Sequence, residues 1–329
     1  MPPAEISCAD VAVVIPAYNR RSTIGRAIAS VMGPSGGPGE LVVVDDGSTD
    51  GTAAAARAAV AAAGIPRGRV VRQSNAGPGA ARNAGAAVVD AEYVAFLDSD
   101  DHWYPWTFAA CVEALSVAGR PALLFLQTVD VSPGRHPEAV DPAEPEIAVF
   151  PGVLEAVDAA APIRFGSCNV VIRRDVFRAL GGFTTAIRCA EDTDLFLRAA
   201  RSGPCAVVLG TPLVAHELGR ADNLTAGWAR VRDGARHILK RNAEGAYPEA
   251  PGGRPLKDRL LAKVVANAVL VGFAAGHPGA AYGMLVRHAG RLVAGREWHW
   301  LARLPLMPLL SSLKPASFRM RWRPDPSCR

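Results

Sequence analysis

The sequence predicts an α/β fold: a mostly parallel sheet flanked by helices, followed by a helical C-terminal extension. Three observations lead there. Short apolar runs alternate with segments of helical periodicity through the first two thirds of the chain. Polar, acid-rich turns follow several of those runs, at the strand ends where open α/β sheets bind ligands. From about Trp228 onward the pattern is helical, broken only by a Pro/Gly segment at 248–255. With 329 residues, 50% of them hydrophobic and 20% charged, the chain can bury one large core and an appendage. The predicted division is residues 1–225 and residues 226–329.

Each element follows from its local pattern. Val11–Pro16 is an apolar run closed by proline, a buried parallel strand. Ser22 is placed to cap a helix whose Ile24, Ala27, Ile28 and Val31 share one face, and Gly33-Pro34 ends it. Leu41–Val44 is a second buried strand, and the alanine-rich helix Ala53–Ala63 stops at Gly64. Strand and helix then alternate as Arg69–Val71, Gly79–Val88, Tyr93–Leu97, Trp106–Val117 and Leu123–Val129. Residues 132–150, rich in proline and acids, read as a loop or flap. Asn169–Ile172 reads as a strand and Asp192–Arg201 as an amphipathic helix.

Charge and cysteine usage narrow the function classes. The formal net charge is +5, yet the segment from Leu285 to the end alone carries nine Lys/Arg against two acids. Such a local patch fits a phosphate-bearing partner, an anionic membrane surface or a solvated basic face. Trp298, Trp300, Leu301, Leu304, Leu306 and Leu309 with flanking arginines fit an interfacial helix, and packing onto the catalytic domain or a dimer contact fits equally well. The six cysteines show no C-x-x-C spacing, which argues against zinc; Cys111, Cys168 and Cys205 read as buried free thiols of a reducing compartment. No signal-peptide pattern opens the chain, and Leu260–Gly276 contains Lys263 and Asn267 and is short for a span. The expected location is cytoplasmic, with the tail as a candidate peripheral membrane contact.

Four motifs carry chemistry. Asp45-Asp46-Gly47-Ser48-Thr49-Asp50 follows the second strand. Carboxylates there can accept hydrogen bonds from a base N–H and from ribose hydroxyls, while Gly47 allows a tight turn and Ser48 or Asp50 can cap the next helix. Asp98-Ser99-Asp100-Asp101 follows the strand Tyr93–Leu97. Three carboxylates in four residues call for a positive partner, and Mn2+ or Mg2+ bound through one or two of them plus substrate phosphates satisfies that. Asn75 to Asn83, with Gly77 and Gly79, opens a helix and permits close backbone approach; its Arg82 either contacts the nucleotide or braces the acidic cluster. Glu191-Asp192 opens a later helix, where acids serve either the helix dipole or, for Asp192, general-base chemistry.

Taken in order, Pro16-Ala17-Tyr18-Asn19, the Asp45–Asp50 motif, Asn75–Asn83, Phe96–Asp101 and Glu191-Asp192 resemble the inverting family 2 glycosyltransferases of the GT-A, Rossmann-like fold. The resemblance spans roughly Val11 to Gly219. It implies transfer of a sugar from a nucleotide diphosphate donor, most often a UDP-sugar, with a divalent metal. It implies that Pro16, Ala17, Tyr18, Asp45 and Asp46 line the base and ribose pocket, with Arg82, Asp98 and Ser99 completing the nucleotide side. Asp100 is implied as metal ligand, with His216 a second candidate, and His102 stands beside the cluster. Asp192 is implied as the base. Trp103 is either a sugar platform or a core aromatic, and Glu191, Ser167 and Asn169 are candidates for the acceptor side. The Q-x-x-R-W motif and multiple spans of processive synthases in this family do not occur, so single-sugar transfer is expected.

Two rivals differ in class. A sugar-phosphate nucleotidyltransferase needs a Gly-rich, Arg-containing loop after the first strand, where this chain has Pro16-Ala17-Tyr18-Asn19, and no P-loop is present. A non-catalytic nucleotide-sugar-binding scaffold is at odds with the intact Asp100 and Asp192. The expected partners are a nucleotide sugar and an acceptor of unassigned class, with no nucleic acid.

Overall fold

The computed structural model describes residues 5–132, 143–160, 164–218 and 227–295. The tail hydrophobics Trp298 to Leu309, and residues 133–142 of the expected flap, lie outside them. The described parts form two compact units. One draws on Met1–Pro151, Ile163–Thr185 and Ser202–Arg220, the other on Gly152–Pro162, Ala186–Arg201 and Ala221–Arg329.

The first unit is built on an eight-stranded sheet. Its strands are β1 (Val11–Ala17), β2 (Glu40–Asp45), β3 (Arg67–Arg72), β4 (Tyr93–Phe96), β6 (Leu123–Phe125), β8 (Glu146–Phe150), β9 (Val170–Arg173) and β10 (Cys205–Leu209). The order is β3-β2-β1-β4-β9-β6-β10-β8. Six strands share one direction, while β9 runs antiparallel to β4 and β6, and β8 antiparallel to β10. The expected mostly parallel α/β sheet is therefore observed.

The central strands are buried along their whole length because helices cover both faces. Val11, Val13 and Ile15 of β1 share a core with Ile24, Ala27 and Ile28 of α1 (Ile24–Ser30), Ala56 and Val60 of α2 (Thr52–Ala63), and Phe108 and Cys111 of α4 (Thr107–Val117). The alternate residue Val14 faces α3 (Pro78–Ala87), which carries Gly85 at the contact. A Cβ on Gly85 would stand 2.4 Å from Val14 Cγ1, so only glycine lets this helix lie so close to the sheet. Phe96, on the α3 side of β4, packs with Phe177 and Phe183 at centroid distances of 5.4 and 5.2 Å. Thr23, rather than Ser22, stands at the N-cap of α1.

Two expectations are corrected here. The run Leu123–Val129 is two strands, not one: β6 belongs to the large sheet, and β7 (Thr128–Val131) pairs with β11 (Val214–Glu217) in a small sheet ordered β5-β11-β7, with β5 being His102–Trp103. Residues 132–150 are not loop throughout, since Glu146–Phe150 is the edge strand β8. That strand bonds only β10; Glu146 and Val149 are exposed and Ile147, Ala148 and Phe150 half-buried, so its short apolar run is not enclosed as those of the central strands are.

The second unit is helical: α5 (Val153–Ala159), α7 (Glu191–Arg198), α8 (Trp228–Ala243), α9 (Arg254–Ala274), α10 (Pro278–Arg287) and α11 (Ala289–Ala294). The apolar stretch Leu260–Gly276 falls largely within α9, whose Leu261, Val265, Val269 and Phe273 pack against Trp228 and Val231 of α8, Leu285 of α10 and Leu292 of α11. Among the described residues no helix is long and apolar enough to cross a membrane.

Candidate active site

Because β2, β1 and β4 lie side by side and parallel, the turns after Ala17, Asp45 and Phe96 leave one edge of the sheet together. Tyr18 follows β1 with 47% of its surface exposed, a ring open to a ligand. Asn19 takes a left-handed backbone (φ 51°), and its amide donates to Ser48 Oγ at 2.9 Å while its Oδ1 accepts from the Thr49 amide at 3.0 Å. The first and second turns are thereby fastened to each other.

Asp45 ends β2, and the register sets it opposite Arg72 at the end of β3. Its Oδ2 lies 3.1 Å from Arg72 Nε, and its Oδ1 accepts from the Ser48 amide at 3.2 Å. Asp46 is occupied differently. It accepts from Gln73 Nε2 (2.7 Å), the Ala76 amide (2.8 Å) and the Gly77 amide (2.9 Å). Those bonds make Asp46 the anchor of the 73–77 loop rather than an open acceptor. Gly47 (φ 79°) is required where it stands, since a Cβ would lie 2.8 Å from the Asn75 amide nitrogen. Asp50 accepts from the Thr52 amide (3.0 Å) and the Arg21 amide (3.1 Å). Burial works to raise its pKa, but these bonds and that of the Thr52 hydroxyl outweigh it and hold the carboxyl below its ordinary value.

The second acidic motif is braced by arginines. Arg82, buried on α3, places Nη2 2.6 Å from Asp98 Oδ1, with its guanidinium carbon 5.3 Å from the Phe183 ring centroid. Arg20 approaches Asp100 at 3.5 Å. Arg26 donates to the Asp100 carbonyl at 3.2 Å and also pairs with Glu217, whose amide donates to Asp101 Oδ1 at 3.0 Å. Ser99 is buried. Asp101 is 2% exposed, and burial pushes its carboxyl up to about 7, with the charges of Asp98 and Asp100 adding to the shift and His216 opposing it.

Donor atoms of Asp98, Asp101 and Cys168 lie within 4.8 Å of one another. Burial, then the Asp101 and Asp98 charges, hold the Cys168 thiol well above its ordinary pKa, so it stays protonated near neutrality. The donors on offer are carboxylate oxygens, the set that hard cations such as Mg2+ and Mn2+ take. The residues present fit a divalent metal of that class.

His216 does not join this cluster. Its Nδ1 lies 3.2 Å from Asp130 Oδ1, its register partner on β7. Burial works to lower its pKa, but the Asp130 contact and the Asp101 charge outweigh this and raise it. His102 is buried on β5. Trp103 is 2% exposed and stacks on Phe108 in the core, so the core-aromatic alternative describes its position, with no ring face turned to a sugar. Asn169 is fully buried; its Nδ2 donates to the carbonyls of Leu126 (2.8 Å) and Arg164 (2.7 Å), and its Oδ1 accepts from the Gly166 amide, which makes it a loop clasp. Ser167 is buried beside it.

Glu191 and Asp192 open α7 in the helical unit, after Ala190 in a left-handed conformation (φ 66°). Asp192 Oδ1 accepts from the Thr193 amide at 2.6 Å. Two residues on, Asp194 is 1% exposed and accepts from Arg198 Nε (2.8 Å) and Nη2 (2.7 Å) and from the Tyr247 hydroxyl (2.7 Å). Arg20, Arg72, Arg26, Glu217, Cys168 and Asp194 were not legible as partners in the sequence. Only the Asp194–Arg198 spacing, one helical turn, was available as a signal.

A GT-A-type sheet with acidic motifs at its strand ends defines the class, and comparison with known proteins places the chain within it. The family model for glycosyl transferase family 2 matches residues 12–180, more than half of the chain, and the chain belongs to that family. It is 35% identical over 215 residues to the succinoglycan biosynthesis protein ExoO of Rhizobium meliloti, covering 63% of this chain and 60% of that protein. To ExoU of the same organism it is 31% identical over 210 residues, covering 59% and 58%. The chain thus matches less than two thirds of the length of these relatives. Among solved structures it resembles S. aureus TarS 1-349 in complex with UDP-GlcNAc (TM-score 0.61, 19% identity, 91% of this chain and 86% of that one). It also resembles the Pyrobaculum calidifontis mannosyltransferase PcManGT in complex with GDP-Man and Mn2+ (TM-score 0.54, 18% identity, 94% and 88%). At these identities the likeness is one of fold.

Proposed function

We propose that this chain is an inverting glycosyltransferase that moves a single sugar from a nucleotide diphosphate sugar, by preference a UDP-sugar, to an acceptor hydroxyl. The observation that carries it is the convergence on one sheet edge of the exposed Tyr18 ring, Asp45 with Arg72, Asp98 with Arg82 and Asp100 with Arg20. Tyr18 packs on the base, and Asp45 accepts a hydrogen bond from it. Asp98, oriented by Arg82, accepts from the ribose. Asp100 would hold the divalent metal, Mn2+ or Mg2+, and the clustered carboxylates of Asp98 and Asp101 in the same motif support a cation there. When bound, that cation neutralises charge on the diphosphate leaving group. The ligands named for the two neighbouring folds, UDP-GlcNAc for TarS and GDP-Man with Mn2+ for the mannosyltransferase, support this donor class.

Asp192 is the proposed general base. It takes the proton of the acceptor hydroxyl as that oxygen bonds to the anomeric carbon, while the bond to the diphosphate breaks on the opposite face and its electrons leave with the nucleotide. The configuration inverts. Residues 1–225 are the proposed catalytic portion, with 226–329 serving acceptor, homodimer or membrane contact. Nucleotide release from UDP-sugars, measured with Mn2+ and a panel of glycan and lipid-linked acceptors, tests the proposal. Asp192→Asn should lower turnover by about a thousandfold and leave UDP binding intact. Wild-type protein that binds UDP and never releases it from any UDP-sugar would instead favour a binding scaffold.

A further inference from the structure

The opposite edge of the sheet holds a second charged feature that the proposed reaction does not use. A pocket of about 680 Å³ is lined by Glu92, Arg120, Arg173, Arg174, Asp175 and Arg178. Glu92 directly precedes β4 and Arg173 ends the antiparallel β9, with Tyr93 and Arg173 as register partners. The acidic motif begins six residues further on, so the pocket lies roughly 20 Å from it along the strand direction.

Two of the four arginines have acidic partners: Arg120 pairs with Glu92, and Arg173 Nε lies 2.7 Å from Asp175 Oδ1. Arg173 also donates to the Arg120 carbonyl at 3.3 Å, and the Arg174 amide to the Glu92 carbonyl at 2.8 Å, so three separate chain segments are tied into one wall. Arg174 and Arg178, one turn apart on α6 (Arg174–Ala179), face the same pocket and form no ion pair among the described residues. Arg120 holds a left-handed backbone (φ 58°) where α4 ends, its amide donating to the Leu115 carbonyl at 3.0 Å, which fixes this part of the wall.

We infer that this pocket is an accessory binding site for a phosphate group, held by Arg174 and Arg178 and walled by the Arg120–Glu92 and Arg173–Asp175 pairs. Two uncompensated guanidinium groups match the charge of a phosphate monoester dianion, and their forked donors match its oxygens. The inference stands apart from the proposed sugar transfer, because it uses none of the same residues.

The test is calorimetric titration of the full chain with inorganic phosphate, in EDTA and at constant ionic strength, so that metal-dependent nucleotide binding does not contribute. One equivalent should bind, and Arg174→Gln/Arg178→Gln should weaken it at least tenfold. Asp100→Asn should leave phosphate binding unchanged. Retained Mn2+-dependent UDP binding by the double variant serves as its control for folding. No phosphate binding, or binding that the double variant keeps, overturns the inference. Flotation with phosphatidic acid against phosphatidylcholine vesicles then identifies the source. Flotation lost in the double variant names a lipid headgroup; flotation absent, or equal in both proteins, names a soluble phosphate ester.

Discussion

The two acidic motifs follow β2 and β4, on either side of β1, and are put to opposite uses. Asp46, in the first, has both oxygens engaged by a side-chain amide and two backbone amides of its own chain. In the second, Asp98 and Asp101 crowd within reach of a buried thiol, and Asp101 is pushed up to about 7. Internal hydrogen bonding turns a carboxylate into scaffold. Crowding without enough positive charge leaves a cluster that a cation would relieve. Similar strings of aspartates thus divide into a part that shapes the site and a part that fits a ligand.

Substitutions can break or sharpen that contrast, and the largest effect is expected in the second motif. Asp100→Asn should weaken Mn2+-dependent UDP binding by about a hundredfold, equivalent to about 2.7 kcal/mol, with little change in melting temperature; calorimetry and thermal unfolding read the two separately. Asp46→Asn should do the reverse. Loss of charge-assisted bonds to the 73–77 loop should cost about 2 kcal/mol of stability, seen as a lower midpoint in urea. Gly47→Ala tests the same loop from the other side, since a left-handed backbone and a Cβ 2.8 Å from the Asn75 nitrogen should together cost about 1–2 kcal/mol. An unchanged urea midpoint in either variant would remove the scaffold role from the first motif.

The smallest effect is one of pH. Asp101 has a folded pKa raised from 3.8 to about 7, so the folded state binds the extra proton between those values. Its contribution to stability is fully present below pH 3.8 and is lost as pH rises through about 7. His216, also raised from 6.5, acts in the same direction, losing its contribution as pH climbs past that value. Without metal, the melting temperature should therefore fall between pH 6 and pH 8, and Asp101→Asn should flatten most of that slope. A wild-type melting temperature that rises over this interval would contradict the placement of Asp101.

Much of the sheet was legible in the sequence because its central strands are buried on both faces and read as continuous apolar runs, as in Val11–Ile15 and Leu41–Val44. The segment 123–150 was less so. A break at Leu126-Gln127 sends adjacent strands into different sheets, and β8 is a short edge strand directly after a proline- and acid-rich stretch. Of the site, the acids were legible as strand-end motifs, while their arginines were not. Arg72 reaches Asp45 only through the β2–β3 register, and Arg26 reaches Glu217 across the fold. Trp103 and Asn169 show the converse. Trp103 read equally as a sugar platform or a core aromatic and Asn169 as an acceptor-side candidate, and packing against Phe108 and hydrogen bonds to Leu126 and Arg164 hold them inside the protein.

The most direct test of the donor site is titration of the purified protein with UDP, dTDP and GDP, each with Mn2+ and each with EDTA. The account predicts that UDP binds with one equivalent in Mn2+ and at least tenfold more weakly in EDTA, with the other nucleotides weaker than UDP. Absence of binding by all three in the presence of Mn2+ would contradict it.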